Sequence, residues 1–122
     1  MWLRRRAAPR MSGGMRRSPR YPFVATAEVT VEETGSALAT RLGDLSLHGC
    51  FIRTTNTLSR GASILIRISA GNSVFQARGK VIYSQPNLGA GVEFQQIEQL
   101  YLTVLEEWLL EAQGLNTPDQ VA

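Results

Sequence analysis

The sequence predicts an all-β fold: a six-stranded small antiparallel β-barrel with a C-terminal α-helix and a flexible basic N-terminal arm. Three observations predict it. Six short segments between Val24 and Phe94 are rich in alternating or β-branched apolar residues, with turn-forming residues between them. From Ile97 onward the apolar spacing becomes that of a helical stripe. The first 20 residues carry seven arginines, no acid and few apolar groups. Such a segment cannot bury a core and should be mobile when free.

Each element has its own signal. From Val24 to Val31, Ala25, Ala27, Val29 and Val31 alternate with Thr26, Glu28 and Thr30, as in a half-buried strand. Thr34-Gly35-Ser36 then signals a turn. Leu38–Leu42 reads as a second strand and Gly49–Thr54 as a third, joined by a loop from Asp44 to Gly49. Ser63–Ser69 alternates Ile64, Ile66 and Ile68 with Leu65 and Arg67, and is the clearest strand. Ala70-Gly71-Asn72 is a hairpin turn. Val74–Tyr83 is a long strand in which Gly79 suggests a bulge or bend. Gln85-Pro86-Asn87 turns the chain into a last strand, Gly89–Phe94. The helical stripe consists of Ile97, Leu100, Tyr101, Val104, Leu105, Trp108 and Leu109, with Gly114 as its stop. Tyr101 and Trp108 are read as core or as a helix–helix contact.

A chain of 122 residues holds one domain with one modest core. Its 43% hydrophobic and 19% charged content fits a soluble globular protein. No apolar run approaches the roughly 20 residues that span a bilayer. The start, Met1 to Arg6, lacks the apolar stretch of a secretory signal. A cytoplasmic location without membrane insertion is the expectation. The lone Cys50, flanked by Gly49 and Phe51-Ile52, reads as a buried thiol in a strand.

The net charge of +3 is unevenly spread. All seven arginines before Tyr21 stand without an acid, and the remainder carries six basic residues against ten acids. A basic arm on a mildly acidic body suits an anionic partner. Nothing suggests an enzyme. His48 and Cys50 are the only residues of their kinds, so no metal-ligand spacing exists. Asp44, Ser46 and His48 are too local to read as a catalytic triad. No phosphate-binding glycine motif is present, and no cofactor is expected.

Two features carry binding chemistry. In Arg16-Arg17-Ser18-Pro19-Arg20, two arginines stand four apart on a segment stiffened by proline. A guanidinium there can fork onto phosphate or the Hoogsteen edge of guanine, or stack on a base. In Asp44-Leu45-Ser46-Leu47-His48-Gly49, Asp and Ser two apart favour local turns, and Gly49 permits positive φ or close ligand approach. A carboxylate beside that turn can accept from guanine N–H groups. Each feature alone also reads as tail charge or as a plain connection.

Together and in this order they resemble the PilZ domain family, whose paired signature is R-x-x-x-R followed by [D/N]-x-S-x-x-G. Arg16 and Arg20 match the first half, and Asp44, Ser46 and Gly49 the second. Cys50–Thr54 and Gly89–Phe94 are similar to the family's third and last strands. The resemblance covers about residues 15–110. It divides the chain into a basic tail, 1–14, a PilZ-like domain, 15–113, and a polar tail, 114–122. It implies cyclic di-GMP as ligand, with Arg16, Arg20, Asp44 and Ser46 contacting guanine and phosphate, Gly49 keeping the face open, and Arg17 adding charge. It implies an adaptor whose arm orders on ligand and presents a surface to an unidentified effector protein. Met15 stands where an arginine favours two ligand molecules, which implies one. The alternatives are a degenerate PilZ-type protein-interaction module and a small nucleic-acid-binding barrel. The second lacks an obvious array of exposed aromatics, because Phe51 and Phe75 read as core.

Overall fold

The computed structural model describes residues 18–115. Its elements are β1 (Tyr21–Pro22), β2 (Thr26–Val31), β3 (Ala37–Leu45), β4 (Gly49–Arg53), β5 (Ser63–Ala70), β6 (Ser73–Gln85), β7 (Gly89–Gln96) and α1 (Gln99–Leu115). The pairing runs β3-β2-β5-β6-β7-β4, and β4 returns to β3. That closes a six-stranded antiparallel barrel, as the sequence predicts. β1 joins outside the ring, against Asp44 and Leu45 of β3. Of the arm expected to precede it, residues 1–17, including Arg16 and Arg17, lie outside the described residues, and Ser18 to Arg20 are described.

The strand pattern follows from what each face buries. Ala27 and Val29 of β2 face inward, as do Ile64, Ile66 and Ile68 of β5, all three fully buried. Each such isoleucine contributes about 1.5–3 kcal/mol by leaving water. β2 starts later than the alternation suggests. Val24 lies outside the pairing and is 97% exposed, although Ala25 is buried. The hairpin between β5 and β6 has Gly71 at φ 60°, the first central position, where a II′ turn needs glycine. Asn87 takes φ 65° after Pro86, and the Leu88 N–H closes the turn on the Gln85 carbonyl at 3.0 Å. The register between β6 and β7 shifts at Arg78/Gly79, but the extra residue is Gln95 of β7, opposite the glycine where a bulge or bend was expected.

β3 is the main departure. It was expected to end at Leu42, with Asp44 in a loop, but it continues to Leu45. The pairing with β4 shifts register between Leu42 and Asp44, so Gly43 is an extra, bulged residue. Leu42 and Leu45 can therefore both enter the core although they are three apart. Asp44 is a strand residue, held between β1 and β4.

Helix α1 docks by Leu105, Trp108 and Ala112. Phe75, fully buried, is the hub: its ring lies 5.0 Å from Phe94, 6.5 Å from Tyr101 and 6.3 Å from Trp108. The Tyr101/Trp108 stripe is thus core. Two expectations for this helix fail. Leu100 is 69% exposed, because it sits about 80° round the helix from Trp108, at the stripe's edge. Gly114 does not stop the helix, which includes it, and its φ is not positive. Among the described residues no helix is long and apolar enough to cross a membrane.

Candidate functional site

The site is built where the chain enters the barrel. Pairing of Tyr21–Pro22 with Asp44–Leu45 brings the preceding residues alongside the end of β3. Arg20 Nη1 donates to Asp44 Oδ1 at 3.2 Å and lies 3.4 Å from Oδ2. Both side chains are about one-quarter to one-third exposed, at 25% and 30%. Two residues earlier, Ser18 Oγ lies 3.1 Å from His48 Nδ1. Residues 24 and 30 positions apart in sequence are thus joined across one cleft.

The β3–β4 connection is only Ser46–His48, and Ser46 organises it. Its hydroxyl, on a residue just 4% exposed, accepts from the Gly49 N–H at 3.1 Å and the His48 N–H at 3.3 Å. The same Oγ is 3.1 Å from the Gly49 carbonyl, to which it donates. The Ser46 N–H bonds that carbonyl at 2.8 Å, and the Phe94 N–H bonds the His48 carbonyl at 2.8 Å, tying the loop to β7. The local turn chemistry expected of Asp44 and Ser46 belongs to Ser46 alone; Asp44 engages Arg20. Ser46→Ala leaves two loop N–H groups without their acceptor. It should cost about 2 kcal/mol in chemical denaturation, with Ser46→Thr recovering part of it.

Gly49 occupies the start of β4 for a reason other than positive φ, which it does not have. A Cβ there would run into the Val92 carbonyl oxygen, with the Val92 carbonyl carbon at 3.2 Å and Glu93 Cα at 3.3 Å. The glycine permits β4 and β7 to approach. Cys50 beside it is fully buried, as expected, and desolvation first, then the Asp44 charge, pushes its thiol far above the usual range, against a smaller opposing effect of Arg20. A neutral, inaccessible thiol should not react with a disulfide reagent in the native state at pH 8. Labelling should appear only on unfolding, and prompt native labelling would contradict this packing.

The cleft has a volume of about 130 Å³ and is lined by Ser18, Arg20, Ser46, His48, Gly49, Ile82, Val92 and Glu93. The structure therefore brings Arg20, Ser46 and Gly49 together here, with Asp44 bonded to Arg20. Arg16 and Arg17 lie outside the described residues. Sequence reasoning missed Ser18, Ile82, Val92 and Glu93 as lining residues. Ile82 is 37% exposed at a second register shift of β6, which alternation alone does not reveal. Phe51, expected in the core, lies half-buried on the outer face opposite Asp44, its ring stacked 6.3 Å from Tyr83. The Tyr83 ring lies where a Cβ of Gly91 would be, so glycine makes that outer-face packing possible.

A closed barrel packed against a helix thus carries an arginine–carboxylate pair beside a tight polar loop. The PilZ domain model matches residues 15–111, and the chain belongs to that family. Among solved structures it is similar to the PilZ domain, with c-di-GMP, of YcgR from Escherichia coli (TM-score 0.65, 18% identity, covering 80% of this chain and 91% of that one). It is also similar to the PilZ domain of CeSA from a cellulose-synthesising bacterium (TM-score 0.62, 17% identity, 82% and 100% covered). A third is the inhibitor of motility MotI/DgrA of Bacillus subtilis (TM-score 0.67, 16% identity, 84% and 52% covered). At these identities the likeness is one of fold. No curated protein matches the sequence.

Proposed function

We propose that this chain is a cyclic di-GMP receptor that acts as a small adaptor in bacterial second-messenger signalling. The observation that carries the reading is the Arg20–Asp44 contact at 3.2 Å, which joins the two halves of the PilZ signature on one side of the barrel. The YcgR domain of the same fold is described with c-di-GMP, which supports the ligand class.

Charge supports the part assigned to the arm. Arg20 is the only arginine or lysine among the described lining residues; it is paired with Asp44, and Glu93 adds a second acid to the lining. A ligand with two phosphates needs further positive charge, and Arg16 and Arg17 immediately precede the cleft in sequence. In this reading Arg16 and Arg20 take guanine edges, a base face and phosphate. Asp44 accepts from guanine N–H groups. Ser46 and Gly49 supply the loop surface beneath, and Arg17 adds charge at a phosphate. Residues 15–113 form the binding unit, flanked by the tails 1–14 and 114–122. Ordering of the arm on ligand then offers a new surface to an effector protein in the cytoplasm. No catalytic step is assigned.

Calorimetric titration of the full chain with cyclic di-GMP, beside GTP and cyclic di-AMP, tests this. Selective binding near the micromolar scale, roughly −8 kcal/mol, is expected, with one ligand per chain. Absence of both heat and thermal stabilisation at several hundred micromolar ligand would remove the nucleotide assignment and leave a protein-interaction module.

A further inference from the structure

A second concavity lies on the other side of β1, and the proposed nucleotide site does not use it. It is a groove of about 620 Å³ between Pro22-Phe23-Val24 and α1, ended by Ala70, Gly71 and Ser73 of the β5–β6 hairpin. Trp108 and Ala112 form its floor, and the Phe23 ring stands 5.2 Å from Trp108. Val24, on its wall, is 97% exposed. Glu107 and Glu111, one turn apart on α1, line its edge and are exposed. Among the described residues neither has an ion-pair partner. The groove thus offers an apolar slot beside two exposed carboxylates. It suits a segment that carries arginines next to a large apolar side chain.

The chain contains such a segment, which the nucleotide reading leaves unused: Trp2-Leu3-Arg4-Arg5-Arg6. We propose that this groove is the docking site of residues 2–6 of the same chain, with Trp2 and Leu3 against Val24 and Trp108 and the arginines against Glu107 and Glu111. Three features argue for this occupant. Its charge and its apolar head complement the lining. The tether reaches: eleven residues lie between Arg6 and Ser18, and this span can extend about 40 Å, whereas Pro22 lies within about 14 Å of Ser18 along the chain. A segment tethered this closely meets the groove at an effective concentration on the order of millimolar, so two or three exposed ion pairs and one apolar anchor suffice.

The test uses the full chain and no nucleotide, so it stands apart from the ligand assignment. Limited trypsin cleavage after Arg4, Arg5 and Arg6 is timed in the wild type and in the Glu107→Lys, Glu111→Lys double variant. Docking predicts cleavage about fivefold faster in the variant at low salt. The difference should shrink at 0.5 M salt, where exposed charges are screened. A control with the same charge change outside the groove, Glu98→Lys just before α1 with Glu106→Lys on it, should leave the rate unchanged. Reciprocally, Arg4→Ser with Arg5→Ser and Arg6→Ser, which leaves the groove intact, should move the Trp108 indole N–H resonance. Equal cleavage rates together with an unmoved indole resonance would overturn the proposal. Protection that rises with protein concentration would assign the groove to the segment of a second copy and overturn docking within one chain.

Discussion

Arg20→Ala should weaken cyclic di-GMP binding by about 100-fold, near 3 kcal/mol, while leaving the barrel nearly as stable as before. The affinity loss follows from the bond type. A guanidinium donates charge-assisted hydrogen bonds, each contributing about 1.5–3 kcal/mol when made to a well-placed acceptor. Arg20 is already positioned by Asp44 at 3.2 Å, so the ligand meets a side chain whose ordering cost is partly met by the fold. The stability effect is small for a separate reason. The pair is partly solvated, at 25% and 30% exposure, and such pairs contribute at most about 1 kcal/mol. Arg20→Lys should restore little, because an ammonium lacks the planar fork. Asp44→Ala should cost about tenfold: it removes an acceptor for guanine N–H groups but also releases Arg20 from a competing partner. Calorimetry and thermal melts on the same samples separate the two effects. An Arg20→Ala protein that binds within threefold of wild type would exclude this arginine from the site.

The second large effect is on folding. Gly49→Ala should destabilise the barrel by about 3 kcal/mol, lowering Tm by roughly 12 °C or more. The obstacle to a methyl group is backbone, since the Val92 carbonyl oxygen occupies its place and Glu93 Cα is 3.3 Å away. No rotamer change relieves such a contact. β4 must separate from β7 where Gly49 pairs with Glu93, next to the loop that Ser46 holds. Urea denaturation measures this directly, and a change below 1 kcal/mol would refute the close approach. The result also bears on interpretation: a loss of ligand binding at Gly49 must be measured well below the variant's melting temperature. Otherwise a defect in barrel closure passes for a lost ligand contact.

Most of the barrel could be read from alternation, because β2, β5 and β6 bury one face and expose the other with few interruptions. What escaped was each place where the period breaks. At Gly43 one extra residue lets pairing continue, so a strand that alternation ends at Leu42 runs to Leu45 and carries Asp44 with it. At Ile82 a second extra residue turns an aliphatic side chain toward the cleft. Phe51 was misassigned because an aromatic in an apolar strand resembles core, and only the pairing partners show which face it occupies. β1 was not predicted, since two residues carry no period and Pro22 lacks one of the two ladder groups. The site fared unevenly for the same reasons. Arg20, Ser46 and Gly49 were identifiable by motif, whereas Ser18, Ile82, Val92 and Glu93 reach the cleft only through tertiary pairing.

That two-residue strand has a thermodynamic consequence. Ser18 and Arg20 on one side of it line the cleft beside Ser46, and Phe23 on the other rests on Trp108. A ligand that fixes the first side must raise the free energy of opening the β1–β3 ladder and slow hydrogen exchange around Tyr21 and Leu45. An occupant of the groove that favours the same closed ladder does likewise. Linkage then requires reciprocity: the factor by which one changes the affinity of the other is the same in both directions. If both pockets are occupied, the four residues Arg20 to Phe23 carry the coupling between them. Their local opening equilibrium is then the quantity that hydrogen exchange reads.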